Sequence, residues 1–294
     1  MFFADGAAFR AVRRKAVTLF GMSGVGKTRL STLLRESGWR HYSADHRIGA
    51  HYLREAINED LKRQVMGLRR LRPLLMTDSI RVAANITFDD LSALSAWLGK
   101  PGDPEKGGLA FAEYLHRQRQ HRSAEIGSMM DAEALIVPAR DVYGYDHMVV
   151  DASGSLCEVV EPEAPHDAVL QSLARVGALL YIRGDESHEE ELARRFARAP
   201  KPMYYEENFL KAKWAEFKAE AGLAEDSEVD PDDFIRWGFR QLLRRRIPRY
   251  QAIADRWGYQ VEAEEVAALR DEQDFSELMA LAIDRRLTRE KASA

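Results

Sequence analysis

The sequence predicts an α/β protein: a parallel sheet flanked by helices in three layers, with a mainly helical insertion. Three observations predict it. A strand-length apolar run over residues 15–20 breaks at Gly21 into a glycine-rich turn and resumes as a helix over 28–37. Runs of similar length recur at 147–150 and 178–182, each ending in small or polar residues, with a shorter one at 259–261. Between the opening and those runs, residues 47–146 are helical in pattern and break the strand–helix alternation.

The elements follow in order. Leu30, Leu33 and Leu34 recur at helical spacing, and Gly38 stands where a helix C-terminal glycine belongs. Strand, turn and helix within about 25 residues open a βα unit, whose parallel partner strand needs a crossover. Leu61, Val65, Leu68 and Leu71 keep helical spacing, with Lys62, Arg63, Arg69, Arg70 and Arg72 on the other positions before Pro73 ends the run. Thr87 and Asp90 resemble a capping box opening a helix with Leu91, Leu94 and Leu98. Residues 99–104 form a loop by turn chemistry, and a further helix covers 108–131. Past 147–150, residues 167–174 read as a helix with Val169, Leu170 and Leu173 on one side, and 205–243 as helical and charged. At roughly 150 residues per domain, the 294-residue chain amounts to about two domains. The predicted division is a core of 1–46 with 147–294, and an insertion over 47–146.

One motif carries chemistry. Gly21-Met22-Ser23-Gly24-Val25-Gly26-Lys27-Thr28 matches G-x-x-x-x-G-K-[ST] in full, between a predicted strand and a predicted helix, which is the context the pattern requires. Glycines let the backbone wrap a triphosphate with its N–H groups inward, and the following helix presents its positive end. Lys27 is placed to reach the β/γ oxygens, and the Thr28 hydroxyl to ligate Mg²⁺. The chain therefore reads as a P-loop NTPase with ATP and Mg²⁺ as cofactors. An N-K-x-D stretch is absent, which favours ATP over GTP, and so is L-S-G-G-Q. Asp151 closes the 147–150 strand, where P-loop proteins keep the carboxylate that holds Mg²⁺; a helix-cap or turn aspartate is the other reading. Ser153-Gly154-Ser155 then makes a small-residue turn at the C-terminal edge of the sheet, where open α/β sheets bind ligands.

Three stretches outside the loop resemble shikimate kinase and the related small-molecule kinases of the P-loop class. Tyr42-Ser-Ala-Asp-His-Arg-Ile48 is similar to the D-x-D-x-x-I segment after the second strand in that family. Val149-Val-Asp-Ala-Ser-Gly-Ser155 sits at the glycine-rich turn after the third strand, and Arg246-Ile-Pro-Arg-Tyr250 with 259–261 resembles the R-x-P-x-Y helix and last strand. The resemblance implies that Asp45 contacts an acceptor hydroxyl and that Ser153, Gly154 and Arg246 meet an anionic acceptor. It further implies that a lid after Asp185 brings Arg194, Arg195, Arg198 and Lys201 towards the phosphates. By their own chemistry, Asp45 also suits a cap, and the arginines also suit a solvated, salt-laced face. The chain departs from the family at Ser43, which replaces the first Asp, at Ala112 beside Phe111, and at Lys201-Pro202 in place of Arg-Pro. The long helical insertion, expected to cover the acceptor site, argues for an acceptor larger than shikimate. The implied activity is phosphoryl transfer from ATP to a hydroxyl of an anionic small molecule; the alternative is a regulatory ATPase whose nucleotide state controls partner binding.

Composition narrows the setting. With 46% hydrophobic and 31% charged residues the chain is not a disordered one. Its net charge of −4, from 43 Lys+Arg against 47 Asp+Glu, implies no field-driven binding to membranes or nucleic acid. Basic clusters at 62–72 and 240–249 occur without any named nucleic-acid module. A lone cysteine, Cys157, excludes an internal disulfide and a thiolate cage and fits a cytoplasmic setting. His41, His46 and His51 lie five apart, off any single helical face, so no zinc site is expected.

Overall fold

Five strands form one sheet: β1 (Ala16–Phe20), β2 (Arg40–Ser43), β3 (Met148–Asp151), β4 (Ala178–Arg183) and β5 (Gly258–Glu262). The computed structural model describes residues 2–293, without the side chains of 186–189 and 293. All neighbours pair in parallel, in the order β2-β3-β1-β4-β5. The fold class is α/β, as the apolar runs predict. Every residue of β1 and β3 is buried, and so is all of β4 but Arg183. Such continuous burial is what a parallel sheet covered on both faces demands.

The crossovers explain how the covering is arranged. From β1 the chain crosses to β2 at one edge through the helix Lys27–Glu36, which packs on β2 and β3. From β3 it crosses to β4 on the other side of β1 through the helix Ala168–Val176, which packs on β1 and β4. Right-handed crossovers running in opposite directions put these two helices on opposite faces of the sheet. Three layers result, and the direction of winding reverses between β1 and β3. The C-terminal ends of those two strands are therefore the switch point at which such sheets bind ligands.

The chain divides into two compact units: one of residues 1–44, 129–199 and 239–294, which holds the sheet, and one of residues 45–128 and 200–238. The second unit is helical. Its apolar core gathers Ile48, Leu53, Ile57, Leu94, Trp97, Leu98 and Ala124. The segment 200–238 joins 45–128 through contacts far apart in sequence. Tyr114 donates to the Met203 carbonyl at 2.9 Å, Gln118 accepts from Tyr205 N at 2.8 Å, and Phe111 stacks on Trp214 at 4.8 Å.

Several helices differ from their sequence patterns. The helix predicted over 108–131 is Phe111–Asp141, with Pro138 inside it, and the charged stretch 205–243 resolves into Glu207–Ala221 and Pro231–Trp257. Thr87 and Asp90 close a turn, Asp90 N donating to Thr87 Oγ1 at 3.1 Å, and the helix begins only at Ser92. The largest difference lies at 61–71. There the helix Arg54–Met66 stops at Gly67, and Pro73 opens a short helix, Arg72–Met76, where a proline in the first turn loses no hydrogen bond. Leu68 and Leu71 are left exposed.

Candidate functional site

Beyond Phe20 the chain must leave the sheet and enter a helix within a few residues. Gly21 makes the first turn at φ +138°, where a Cβ would lie 2.5 Å from the Ile182 carbonyl oxygen of β4, so no larger residue fits. Gly24 and Gly26 also take positive φ, 88° and 100°. Met22 and Val25 are buried and pin the loop, while Ser23 and Gly24 stay exposed at its crest. Lys27, 7% exposed, begins the helix Lys27–Glu36, and its ammonium donates to the carbonyls of Gly21 and Met22, both at 2.9 Å. Loop, helix N-terminus and buried ammonium concentrate positive potential in one short segment.

The second wall comes from β3. Asp151 is the register partner of Leu19, so it emerges beside the start of the loop. Thr28 Oγ1 donates to Asp151 Oδ2 at 3.0 Å, joining two residues separated by 123 positions in sequence. Burial pushes the Asp151 carboxyl above its ordinary 3.8; the Lys27 charge and the Thr28 hydrogen bond pull the other way. A carboxyl raised in this way weighs against the folded state once it ionises: the cost is absent below the unfolded value and complete above the folded one. Asp151→Asn, which retains an acceptor for Thr28, is thus expected to raise the melting temperature at neutral pH. Melting curves should show the gain shrinking as pH falls towards 3.8.

After Asp151, the turn Ser153-Gly154-Ser155 meets the loop directly: a Cβ on Gly154 would stand 2.4 Å from Ser23 Oγ. The turn is braced from behind. Arg246, 2% exposed, donates to Gly154 O at 2.9 Å and to Glu158 Oε1 at 3.1 Å; Arg245 donates to Glu158 Oε2 at 3.0 Å. Arg249 holds the Cys157 and Val160 carbonyls at 2.7 and 2.6 Å. Cys157 is buried among these groups with its thiol pushed up to about 12, which leaves it protonated and inert at neutral pH.

The structure thus brings the loop residues, Thr28, Asp151, Ser153 and Gly154 together, and places Arg246 beneath the turn, with its guanidinium engaged by Glu158 and Gly154. Asp45 stands half-buried in the first turn of the helix Ala44–Arg47, just past β2. Arg198 is exposed at the end of the helix Glu186–Arg198. From that helix it is Arg195 and Leu192 that approach the loop, at 3.5 and 3.1 Å from where a Cβ on Gly24 would be. Two positions carry no signal in the sequence. Glu158 has no motif around it, and Arg29 clamps the carbonyls of Val266, Ala267 and Leu269, at 3.1, 2.8 and 3.3 Å, against the start of the loop's helix. A concavity of about 500 Å³ beside β5, lined in part by Glu262, Leu281 and Arg285, contains no residue of the loop.

The residues fit the expected cofactors. A loop with three left-handed glycines leaves room for a phosphate chain against backbone N–H groups. A hydroxyl and a carboxylate 3.0 Å apart are the hard oxygen donors that Mg²⁺ prefers. No family model and no curated protein matches this chain. Among solved structures, a shikimate kinase from Bacteroides thetaiotaomicron aligns with 95% of this chain and 98% of its own, at 14% identity and a TM-score of 0.36. At that likeness the alignment decides neither family nor activity; strand order and pairing define the fold as a parallel α/β one, with a glycine-rich loop after β1.

Proposed function

We propose that this protein is an ATP- and Mg²⁺-dependent phosphotransferase acting on a hydroxyl of an anionic small molecule. The observation that carries the reading is the complete loop at the switch point, with its ammonium inside and the Thr28–Asp151 pair at its flank. In this reading the backbone of Gly21 to Gly26 cradles the phosphates, and Lys27 transfers its two hydrogen bonds from loop carbonyls to phosphate oxygens. Thr28 and Asp151 hold Mg²⁺, which when bound neutralises charge on the phosphate oxygens. Arg195, nearest to Gly24, supplies a further cation, with Arg198 one turn on. Asp45 orients the acceptor hydroxyl, and Ser153 and Gly154 line the acceptor side. Catalysis is then positioning and charge stabilisation, with no covalent step on the protein.

Titration calorimetry with ATP and Mg²⁺ tests the reading: a saturable heat is expected, and its absence from folded protein would sink it. Asp151→Asn should move the Mg²⁺ requirement to higher concentration with less effect on nucleotide affinity. One observation favours the second reading, a regulatory ATPase: the guanidinium expected to meet an anionic acceptor, that of Arg246, is engaged by Glu158. Turnover measured with a panel of hydroxyl acceptors separates the two, since acceleration by an acceptor is required of a transferase only.

A further inference from the structure

Residues 62–82 concentrate charge and apolar surface that the candidate site does not use. They hold six cations, Lys62, Arg63, Arg69, Arg70, Arg72 and Arg81, against a single carboxylate, Asp78. The whole chain has 43 cations against 47 carboxylates, so the net charge conceals this stretch. Lys62 pairs with Glu59 at 2.6 Å, whereas the five arginines make no ion pair among the described residues. Arginines elsewhere, such as Arg117, Arg119 and Arg175, pair closely with carboxylates.

Between and beside these arginines stand Leu68, Leu71, Leu74 and Met76, exposed by 54, 37, 40 and 68%. Uninterrupted helical spacing would have turned Leu68 and Leu71 inward with Leu61. The break at Gly67 and the restart at Pro73 present them outward instead. Large aliphatic side chains held in water beside unpaired cations mark an interaction surface.

We propose that the turn and short helix of residues 68–76 dock on an anionic lipid bilayer. The leucines and Met76 enter the boundary between headgroups and acyl chains, and the arginines meet lipid phosphate and carboxylate groups. Two observations favour lipid over nucleic acid. Residues 62–82 contain no aromatic side chain on which a base could stack. Four exposed aliphatic side chains gain nothing from a phosphate backbone, whereas a bilayer buries them. No described helix is long and apolar enough to cross a membrane, so the association is peripheral. None of these residues belongs to the phosphate loop, so the proposal stands apart from the nucleotide reading.

Co-sedimentation of the full-length protein with vesicles of phosphatidylcholine, with and without phosphatidylserine, tests it. Binding is expected only to the phosphatidylserine vesicles and should fall as salt is raised. Replacing Arg69, Arg70 and Arg72 together by Glu should lower the partition coefficient by more than about a hundredfold, since three attracted charges become repelled ones. The pair Leu74→Ser and Met76→Ser should lower it about tenfold or more. Both variants should titrate with ATP as the parent does. Absence of binding at low salt, or variants that bind vesicles as the parent does, would overturn the proposal. So would capture of the protein by a single-stranded RNA, undiminished by the Leu74 and Met76 replacements, where vesicles capture none.

Discussion

Lys27→Ala is expected to lower ATP turnover by about 10²- to 10³-fold, the loss that follows removal of one preorganised charge-stabilising donor. Its ammonium sits inside the loop on the carbonyls of Gly21 and Met22, six and five residues back in the chain. Those bonds are local, so the sheet and its packing should survive their removal, and circular dichroism melts should stay close to the parent's. Lys27→Arg should not restore activity, because a planar fork cannot fit where a compact ammonium bridges two carbonyls. The check is steady-state turnover beside nucleotide titration. A folded Lys27→Ala protein with near-normal turnover would remove the loop from the proposed chemistry.

Glu158→Leu should destabilise the protein by about 3–5 kcal/mol, the usual cost of leaving one member of a buried ion pair without its partner. Glu158 and Arg246 side chains are 0% and 2% exposed, and their oxygen–nitrogen distance is 3.1 Å. Arg245, 27% exposed, can turn to water when Glu158 is lost, but Arg246 cannot. Arg246→Met leaves the opposite charge stranded and should cost a similar amount. The double variant should cost less than either single, because an apolar pair of similar volume is tolerated where a lone charge is not. Urea unfolding of the four proteins measures this cycle; additive losses would show that the two side chains are not coupled. Arg246→Met should also weaken ATP binding, since Arg246 holds the Gly154 carbonyl and Gly154 abuts Ser23 of the loop.

The glycine-rich loop, four of the five strands and the α/β class were legible in the residues because their signals are local; β2, only four residues long and with Arg40 exposed, has no such apolar run. A glycine whose φ must be positive, an apolar run bounded by turn residues and a helix restarting at Lys27 each concern neighbours within about a dozen positions. The expectation for 61–71 had the right periodicity and the wrong continuation, because Gly67 and Pro73 override the spacing of the leucines around them. Pro138 and Pro248 have the opposite lesson: both sit inside long helices, where packing outweighs one missing N–H.

Local chemistry, then, gave a short loop near the start of the chain three left-handed glycines and a cation held inside it. Which carboxylate stands at its flank, and what braces the turn beside it, followed from long-range register. Thr28 meets Asp151 across 123 positions, Arg246 meets Glu158 across 88, and 200–238 joins 45–128 through Tyr114 and Gln118. Pairing in a parallel sheet and burial of a charge are cooperative, non-local events, decided by which strands lie side by side and which ions find partners out of water. No window of sequence around Arg246 distinguishes a cation displayed to a ligand from one sealed beneath a turn.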